Sequence, residues 1–275
     1  MHGTRWILLV GLIAVPAVVA TSGCGMLIST EQEIAMGEEA APEFEKEFGG
    51  RVQDEALQQY VSDVGMAVAA KCDREMPYEY LLVRSKQANA FALPGGKIFL
   101  TAGLMNRMTN EREMAAVLGH ETGHVCARHN VKAMERQLGV ALAAEIAAHV
   151  FSEGGLPAGD ITKIVGAVAN LKYSRDDEYE ADQRGIEYMS RAGYNPHGMV
   201  ELLTVLQNLS DREPGALEEM LSTHPLTTKR IDKAREAIED DHESASPDAA
   251  DPHRDRFLEM RARLRKAVPG LPAGE

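Results

Sequence analysis

A five-residue segment of the chain holds two histidines separated by three residues, with a glutamate directly after the first. The segment is His120-Glu121-Thr122-Gly123-His124, and the apolar residues before it have the spacing of a buried helix. On a helix, residues four apart project from one face about one turn apart, which suits two imidazole ligands of one zinc ion. Glu121 lies about 100° further around the axis, where its carboxylate can take a proton from a metal-bound water. The pattern therefore predicts a zinc site with its own general base.

A zinc site of this kind needs a third protein ligand. Glu178 and Asp182 are also four residues apart, in a second stretch with helical spacing. We expect Glu178 to bind the metal and Asp182 to accept a hydrogen bond from the outward N–H of a zinc-bound histidine. Glu180 points elsewhere and is not expected to take part. Carboxylates at this spacing are also common on solvated helices, so the pair is informative only together with the histidine motif.

The other histidines carry weaker signals. His129 follows His124 by five residues, is rotated off the metal-facing side, and is predicted to be structural. His149 and His197 have no partner that the sequence identifies. His224 precedes a proline, and a His-Pro pair in a loop is typical of a simple turn.

The elements that must position these residues are mostly helical. Short alternating segments between turn residues predict strands at Tyr80–Val83, Asn89–Leu93 and Lys97–Thr101. The fold class is α+β, with a small antiparallel sheet beside the helix that carries the histidine motif. Apolar periodicity and capping residues predict helices at Ser29–Phe48, from Asp54, at Asn110–Ala148, Asp160–Tyr173, Arg175–Arg191, Pro196–Leu209 and Arg254–Val268, with a break at Gly154–Gly159.

The N-terminus has the features of a bacterial export signal. Arg5 closes a short basic region, an apolar run from Trp6 to Ala20 follows, and small residues precede Cys24. The segment resembles the lipobox of lipoproteins, which predicts cleavage before Cys24 and a membrane anchor of acyl chains on that cysteine. A plain secretory signal is the alternative. The predicted division is a signal peptide at 1–23, the main domain at 24–239, and an acidic linker with a C-terminal tail at 240–275.

Charge and cysteine content limit the partners and the compartment. The formal net charge of −13 argues against nucleic-acid binding, because phosphate contacts need clustered Lys and Arg. In an oxidising compartment, Cys72 and Cys126 can pair. The sequence leaves a disulfide and two free thiols equally open.

Several segments together carry a resemblance to a known family. They are His120–Val125, Asn89–Gly96, Ser174–Asp182, and Thr223-His224-Pro225 with Arg230. They resemble the gluzincin-type zinc metallopeptidase family of the CAAX prenyl protease and HtpX, and most of all its periplasmic lipoprotein branch of LoiP-like and BepA-like proteins. The resemblance covers roughly Thr30 to Ile238 and implies a zincin-like peptidase domain. The multi-span membrane domain of HtpX and the C-terminal repeat domain of BepA have no counterpart here, so prenylated substrates are not expected.

The resemblance also assigns roles to individual residues. It implies one zinc ion per chain on His120, His124 and Glu178, with Glu121 as the base. Asp182 is sometimes the proton donor in such enzymes, whereas the spacing argument makes it the partner of a zinc-bound histidine. His224 is placed near the metal, either as a donor to the oxyanion or as a fourth ligand that keeps the enzyme silent; both stay open.

The expected function is zinc-dependent endopeptidase activity, in which a metal-activated water hydrolyses protein substrates. The resemblance implies misfolded or unassembled envelope proteins as substrates, a position on the periplasmic face of a bacterial membrane (we expect the outer membrane), and contact with envelope assembly machinery. An extended polypeptide is expected to lie along Lys97–Thr101 as an added strand, and a plain core strand is an equally open alternative for these residues. The main alternative is a zinc-bound periplasmic chaperone or assembly lipoprotein with little proteolytic turnover, and a third is a zinc hydrolase with a non-peptide substrate.

Overall fold

The computed structural model describes residues 28–139, 166, 171–213, 215, 217–241 and 245–272. The predicted fold class, mostly helical with one small sheet, is confirmed. Among the residues described, none of the helices has the length and apolar character needed to span a bilayer. The strands are β1 (Glu79–Val83), β2 (Ala90–Ala92) and β3 (Lys97–Thr101). The helices are α1 (Thr30–Glu47), α2 (Glu55–Ala69), α3 (Ala102–Met105), α4 (Glu111–Cys126), α5 (His129–Leu138), α6 (Arg175–Arg191), α7 (His197–Arg212), α8 (Glu218–Thr223), α9 (Thr228–Asp241) and α10 (Arg254–Ala267).

Side-chain caps fix the first residues of several helices. Ser29 accepts a hydrogen bond from the backbone N–H of Gln32, whose side chain accepts one from the Ser29 N–H in return. Asp54 caps α2 by accepting from Leu57 N–H, and Ser174 starts α6 with the same kind of capping box as α1. Each cap satisfies an N–H group that has no partner inside its helix. The predicted starts of α1 and α2 and both predicted ends of α6 are confirmed.

The predicted continuous helix from Asn110 to Ala148 is wrong, because the chain turns between α4 and α5. Arg128 adopts the left-handed conformation, with φ 58° and ψ 32°, which costs a non-glycine residue about 1–2 kcal/mol. Its guanidinium is held there by Glu33, at 3.1 Å, and by the carbonyl of Ile28. These long-range contacts explain why the local sequence did not reveal the turn.

Several predictions fall on residues that the structure does not describe. They are the signal segment and Cys24, the part of the predicted long helix beyond residue 139, His149, the Gly154–Gly159 break, and most of the predicted helix Asp160–Tyr173. These stay predictions.

The sheet is mixed, which corrects the prediction of an antiparallel sheet. β3 lies in the centre and pairs in parallel with β1 on one side, with Leu81 opposite Phe99. On its other side it pairs antiparallel with β2, where Phe91 is opposite Phe99. The turn Pro94–Gly96 joins β2 to β3 as a hairpin, and its two glycines have φ of 81° and 90°, a region that favours glycine. The residues of the β2–β3 hairpin are neighbours in the chain, so the sequence predicted their antiparallel pairing. The parallel pairing of β1 with β3 joins residues further apart in the chain, and local sequence signals did not reveal it.

Helix α4 is the central element of the helical part, and its residues Glu111–Val125 are all buried. It packs against α2, α6 and α7 and also contacts the sheet. It approaches α6 closely: a Cβ on Gly123 would lie 2.9 Å from the Ala181 carbonyl oxygen, and one on Gly185 would lie 2.9 Å from the His120 nitrogen. Such distances leave no room for a side chain, so these glycines let the two motif-bearing helices touch.

The C-terminal residues 245–272 pack against the N-terminal end of α4. Asp251 accepts hydrogen bonds from the backbone N–H groups of Glu111, at 2.9 Å, and Arg112, at 3.3 Å. Phe257 and Leu264 of α10 are fully buried in the main apolar core. The predicted terminal helix is therefore present, and these contacts hold the acidic segment before it, which was expected to be a mobile linker. The domain boundary at 239 stays a prediction.

Cys72 and Cys126 form a disulfide, with their Cα atoms 6.8 Å apart. The bond joins the loop that follows α2 to the last residue of α4. Of the two alternatives that the sequence left open, the structure has the disulfide.

Candidate metal centre

Four buried side chains converge between α4 and α6. They are His120 and His124 of α4, Glu178 of α6 and His224, and one donor atom from each lies within 4.8 Å of the others. The Nε2 atom of His120 is 3.0 Å from His124 Nε2 and 3.4 Å from His224 Nδ1. Glu178 Oε1 is 3.3 Å from His124 Nε2 and 3.0 Å from His224 Nδ1. Three imidazoles and a carboxylate thus face one point.

Helix α8 brings His224 to this point. His224 follows the helix directly, and its backbone N–H donates to the Met220 carbonyl at 2.7 Å. The Tyr173 ring stacks on His124 with centroids 4.0 Å apart and also lies 5.0 Å from the His224 ring. Tyr173 therefore packs two of the imidazoles together, a role that the sequence did not indicate, since Tyr173 lies just outside the Ser174–Asp182 motif and contacts the histidines only in the folded chain. His197 lies elsewhere, with Nε2 3.3 Å from the Ala245 carbonyl oxygen.

Glu121 lies beside the cluster with an unpaired carboxylate. It is fully buried, and neither of its oxygens has a hydrogen-bond partner among the described residues. Oε1 is 3.9 Å from His224 Nε2. Burial raises the pKa of this carboxyl, although His224 and His120 pull in the opposite direction. Leaving a buried carboxylate unpaired is costly, so its oxygens are placed for a ligand that the protein itself does not supply.

Asp182 lies behind His120, on the side away from the other donors. Its Oδ1 is 2.9 Å from His120 Nδ1, the nitrogen that does not face the cluster. Arg230 of α9 binds Asp182 through two hydrogen bonds of 2.7 Å and also bonds to Glu178. Arg230 is buried and thus links both carboxylates of the Glu-x-x-x-Asp pair. Sequence patterns assign Arg230 no role beyond the resemblance, because it lies about fifty residues from Glu178 and Asp182 along the chain.

The electrostatic balance keeps both carboxylates ionised. Burial alone would raise the pKa of Glu178, but Arg230 and His224 outweigh it and hold that pKa well below its usual range. Burial would likewise raise the pKa of Asp182, and Arg230 and His120 reverse the direction. Burial lowers the pKa of His224, yet Glu178 and Glu121 raise it more. Both carboxylates of the Glu-x-x-x-Asp pair are therefore held in the charged form.

His129 contacts a member of the cluster without belonging to it. Its Nδ1 is 3.0 Å from His124 Nδ1, while its Nε2 is 3.3 Å from Glu180 Oε2. In an unbroken helix, His129 would be rotated about 140° from His124, so the turn at Arg128 brings the rings together. Glu180 stays away from the four donors, as its helical position predicts.

The expected peptide-binding position at Lys97–Thr101 is wrong, because β3 is paired on both sides. β2 is one of the two outer strands, and its Ala92 carbonyl accepts a hydrogen bond of 2.5 Å from Asn130. A small hollow between β2 and His224 is lined by Phe44, Phe91 and Asn89, among others. The side-chain oxygen of Asn89 is buried there and has no hydrogen-bond partner within the described part of the chain. An extended chain that pairs with the sheet beside β2 would therefore come near the metal-binding cluster.

The donor set fits zinc. Zinc binds imidazole nitrogens and carboxylate oxygens in a four-coordinate site, and His120, His124, Glu178 and His224 supply these donors from buried positions. The unpaired Glu121 beside them matches the need of a hydrolytic zinc site for a base that is not a ligand.

Comparison with known proteins gives the same result. The profile of peptidase family M48 matches residues 52–238. The beta-barrel assembly-enhancing protease of Yersinia pestis is 32% identical over 223 residues, covering 78% of this chain and 45% of that protein. The metalloprotease YcaL of Escherichia coli (strain K12) is 31% identical over 163 residues, covering 59% of this chain and 63% of that protein. The mitochondrial metalloendopeptidase OMA1 of Arabidopsis thaliana is 36% identical over 154 residues, covering 56% of this chain and 30% of that protein.

The matches differ in how much of each relative they cover. The chain spans about half the length of the curated relatives it matches first, between 45% and 46% of the assembly-enhancing proteases of Yersinia pestis and Vibrio cholerae. The shared part contains the two helices that carry the His-Glu-x-x-His and Glu-x-x-x-Asp motifs.

Proposed function

The chain belongs to peptidase family M48, and from that membership and the geometry of its zinc site we propose that it is a zinc-dependent endopeptidase that hydrolyses protein substrates. One observation carries the proposal: Glu121 is buried with both oxygens unpaired, directly beside the four zinc-binding donors. In a site that only bound a metal, a buried carboxylate without a hydrogen-bond partner would cost stability and contribute nothing to metal binding. We assign zinc binding to His120, His124 and Glu178.

The residues of the chain divide the chemistry among them. Zinc bound at this centre supplies a Lewis acid that activates a water molecule and polarises the substrate carbonyl. Glu121 takes the proton from the attacking water and returns it to the leaving amine, a task that suits a carboxyl with a raised pKa. Asp182 holds His120 in the tautomer and orientation that expose its Nε2.

We assign His224 to the fourth ligand position in the enzyme without substrate. Its Nδ1 lies within the donor group, closer to Glu178 than His120 is. Catalytic zinc sites keep one position open for water or substrate, so His224 has to withdraw before turnover. His224→Ala is then expected to keep zinc and to raise peptidase activity. If activity is lost while zinc is kept, His224 is a donor to the oxyanion instead.

We propose that substrates bind as extended polypeptides along β2. This strand is one of the two outer strands of the sheet, and it lies beside the hollow next to His224. Main-chain pairing accepts many sequences, which suits an enzyme that removes misfolded or unassembled envelope proteins. The relatives named as beta-barrel assembly-enhancing proteases support this substrate class and an association with envelope assembly machinery.

We also propose that the chain works on the periplasmic side of a bacterial membrane, held by acyl chains on Cys24. The lipobox-like segment before Cys24 supports the anchor, and the Cys72–Cys126 disulfide supports an oxidising compartment. Mass spectrometry of the membrane fraction should find acyl mass on Cys24, and Cys24→Ser should remove it. A mature N-terminus elsewhere without acyl mass would refute the anchor.

The test of the enzymatic proposal combines metal content with turnover. The purified mature chain should contain one zinc ion and cleave casein. Glu121→Gln should keep the zinc and the fold but lose nearly all cleavage, because the amide cannot accept the proton. His124→Ala should lose the zinc. Substantial cleavage by Glu121→Gln, or a full zinc equivalent in His124→Ala, would contradict the assigned roles.

A chaperone or assembly function is the second candidate, because relatives of the chain are named beta-barrel assembly-enhancing proteases. The same Glu121→Gln variant separates the two candidates. If it supports envelope assembly in cells as well as the wild-type chain does, turnover is dispensable and the chaperone reading is favoured. If assembly fails together with casein cleavage, proteolysis is the function.

A further inference from the structure

We infer that His129 is a positioning residue for the zinc ligand His124, and that it acts through a chain of hydrogen bonds that ends on the carboxylate of Glu180, with the carboxylate of Asp177 close by. The inference rests on the zinc site proposed above and extends it beyond both sequence motifs.

His129 uses both of its ring nitrogens. It is completely buried, and its Nδ1 lies 3.0 Å from His124 Nδ1, with the two rings at an interplanar angle of 71°. Its other nitrogen, Nε2, lies 3.3 Å from Glu180 Oε2 and 3.6 Å from Asp177 Oδ1. A buried histidine placed only to fill space would leave polar nitrogens to satisfy, whereas here each nitrogen has a partner.

The positions of the protons follow from these contacts. His124 turns Nε2 toward the zinc-binding donors, so this nitrogen must be free of hydrogen and Nδ1 must carry the proton. The Nδ1–H of His124 can donate to His129 only if His129 Nδ1 is itself unprotonated. The proton of His129 then sits on Nε2, which faces ionised carboxylates that can only accept. Each hydrogen bond in this series has one donor and one acceptor. The carboxylates can only accept, so they determine which nitrogen donates in every hydrogen bond of the series.

Other residues hold the carboxylates of Asp177 and Glu180, which lie at the end of this series of hydrogen bonds, in place. Asp177 accepts from Arg136, at 2.8 Å, and from the Ser174 backbone N–H, at 2.9 Å. Glu180 accepts from Arg184 at 2.9 Å. The two histidines of the motif are thus supported differently: His120 contacts the carboxylate of Asp182 directly, and His124 reaches its carboxylates through a second imidazole.

The first test replaces His129 and measures zinc affinity by competition with a chelator. His129→Phe keeps a ring but offers no acceptor, so zinc affinity should fall about 10–100-fold, the usual loss when such a partner of a metal ligand is removed. His129→Asn carries an oxygen that can accept from His124, so it should recover most of the affinity. Melting temperatures of the zinc-free proteins report on folding separately.

The second test uses a matched pair of glutamates on α6. Glu180 and Glu187 each form an i,i+4 ion pair, with Arg184 and Arg191 respectively. Of these two glutamates, only Glu180 contacts His129. Glu180→Gln should weaken zinc binding by about threefold to tenfold, because the acceptor remains and the charge is lost. Glu187→Gln should change nothing.

The outcomes are distinct. If His129→Phe binds zinc as tightly as the wild type, or if it loses affinity that His129→Asn does not recover, the inference is overturned. Should His129→Phe fail to fold, equal affinities of Glu180→Gln and Glu187→Gln would overturn it on their own. If the wild-type chain binds no zinc at all, it is the zinc-site proposal that fails.

Discussion

At the scale of single residues, a substitution of Asp182 distinguishes three possible roles of this carboxylate. It can hold a zinc ligand in place, act as an obligatory proton donor, or be a solvated carboxylate with no part in the site. It accepts from His120 Nδ1 and from Arg230, so its charge is shared between a zinc ligand and a buried cation. In Asp182→Asn, an amide oxygen can still accept from His120, but the amide N–H₂ group opposes the Arg230 guanidinium. We expect zinc affinity and turnover to fall together, by roughly 10–100-fold, in a chain that still folds.

Measuring affinity and turnover in one preparation separates the alternatives. An obligatory proton donor would lose activity while zinc affinity stayed unchanged. A merely solvated carboxylate would affect neither, as expected for the control Asp176→Asn, whose side chain is exposed in the first turn of α6.

The residues of the site divide into those that local sequence reveals and those that only the fold reveals. His120, Glu121 and His124 lie within one helical turn, and Glu178 and Asp182 within another, so spacing alone brings each group to one helix face. Arg230, Tyr173 and His129 act on these groups from other elements. Helix periodicity cannot predict such contacts.

At the scale of elements, the metal centre depends on how closely α4 and α6 approach. Gly119 and Gly123 of α4 face Gly185 and Ala181 of α6, so small residues one turn apart oppose each other on both helices. Both motifs lie along this seam, which sets the distance between the histidines and Glu178. The glycines are therefore as important for the site as the ligands, although they touch no metal.

Gly185→Ala tests this dependence. Its Cβ would lie 2.9 Å from the backbone nitrogen of His120 and from Met199 Cε, and only the methionine end can move easily. The helices must separate, which should cost about 1–3 kcal/mol of unfolding free energy even though alanine favours helices, and zinc should bind more weakly. Thermal unfolding and chelator competition measure both effects. Gln183→Ala, exposed on the same helix, is the control; unchanged stability and affinity in Gly185→Ala would refute the role of the seam.

The same contrast between local and distant causes explains which elements the sequence predicted. Helices that begin with a side-chain cap, such as Ser29 or Asp54, were located because the cap and its helix are neighbours in the chain. The turn at Arg128 is stabilised by Glu33 and Ile28, about a hundred residues away, and was missed. The sheet was predicted as antiparallel because the hairpin of β2 and β3 is local, whereas the parallel pairing of β1 with β3 is not.

At the scale of the whole molecule, the disulfide closes a loop that contains the entire sheet. Cys72 and Cys126 are separated by 54 residues, so removing the bond should lower the unfolding free energy by about 4 kcal/mol through the entropy of the unfolded chain. For a chain of this size, that corresponds to a fall in melting temperature of roughly 8–16 °C. The double variant Cys72→Ser with Cys126→Ser should show this fall, and so should the wild type under a reductant. A reductant that leaves the wild-type melting temperature unchanged would contradict the prediction.

The C-terminal segment is the other feature that belongs to the whole molecule. Glu111 is buried at the start of α4, where it accepts from Tyr60, at 2.8 Å, and from Arg256 of α10. The start of the motif-bearing helix therefore depends on residues that come near the end of the chain. If 240–275 were a separate tail, its loss would leave the centre unaffected; the contacts predict the opposite.

Phe257→Ala puts this to the test with the smallest change. Phe257 is completely buried in the main core, so the cavity left by its ring should cost about 3–5 kcal/mol of unfolding free energy.

A chain ending at Asp241 should lose more, because Asp251 and Arg256 would no longer hold the backbone and the carboxylate of Glu111. Both changes should also weaken zinc binding, since the histidines sit on the helix that loosens. Glu259→Ala, exposed on α10, should match the wild type in thermal unfolding and chelator competition. If the shortened chain melts at the wild-type temperature and keeps its zinc affinity, the segment is a tail and not part of the peptidase domain.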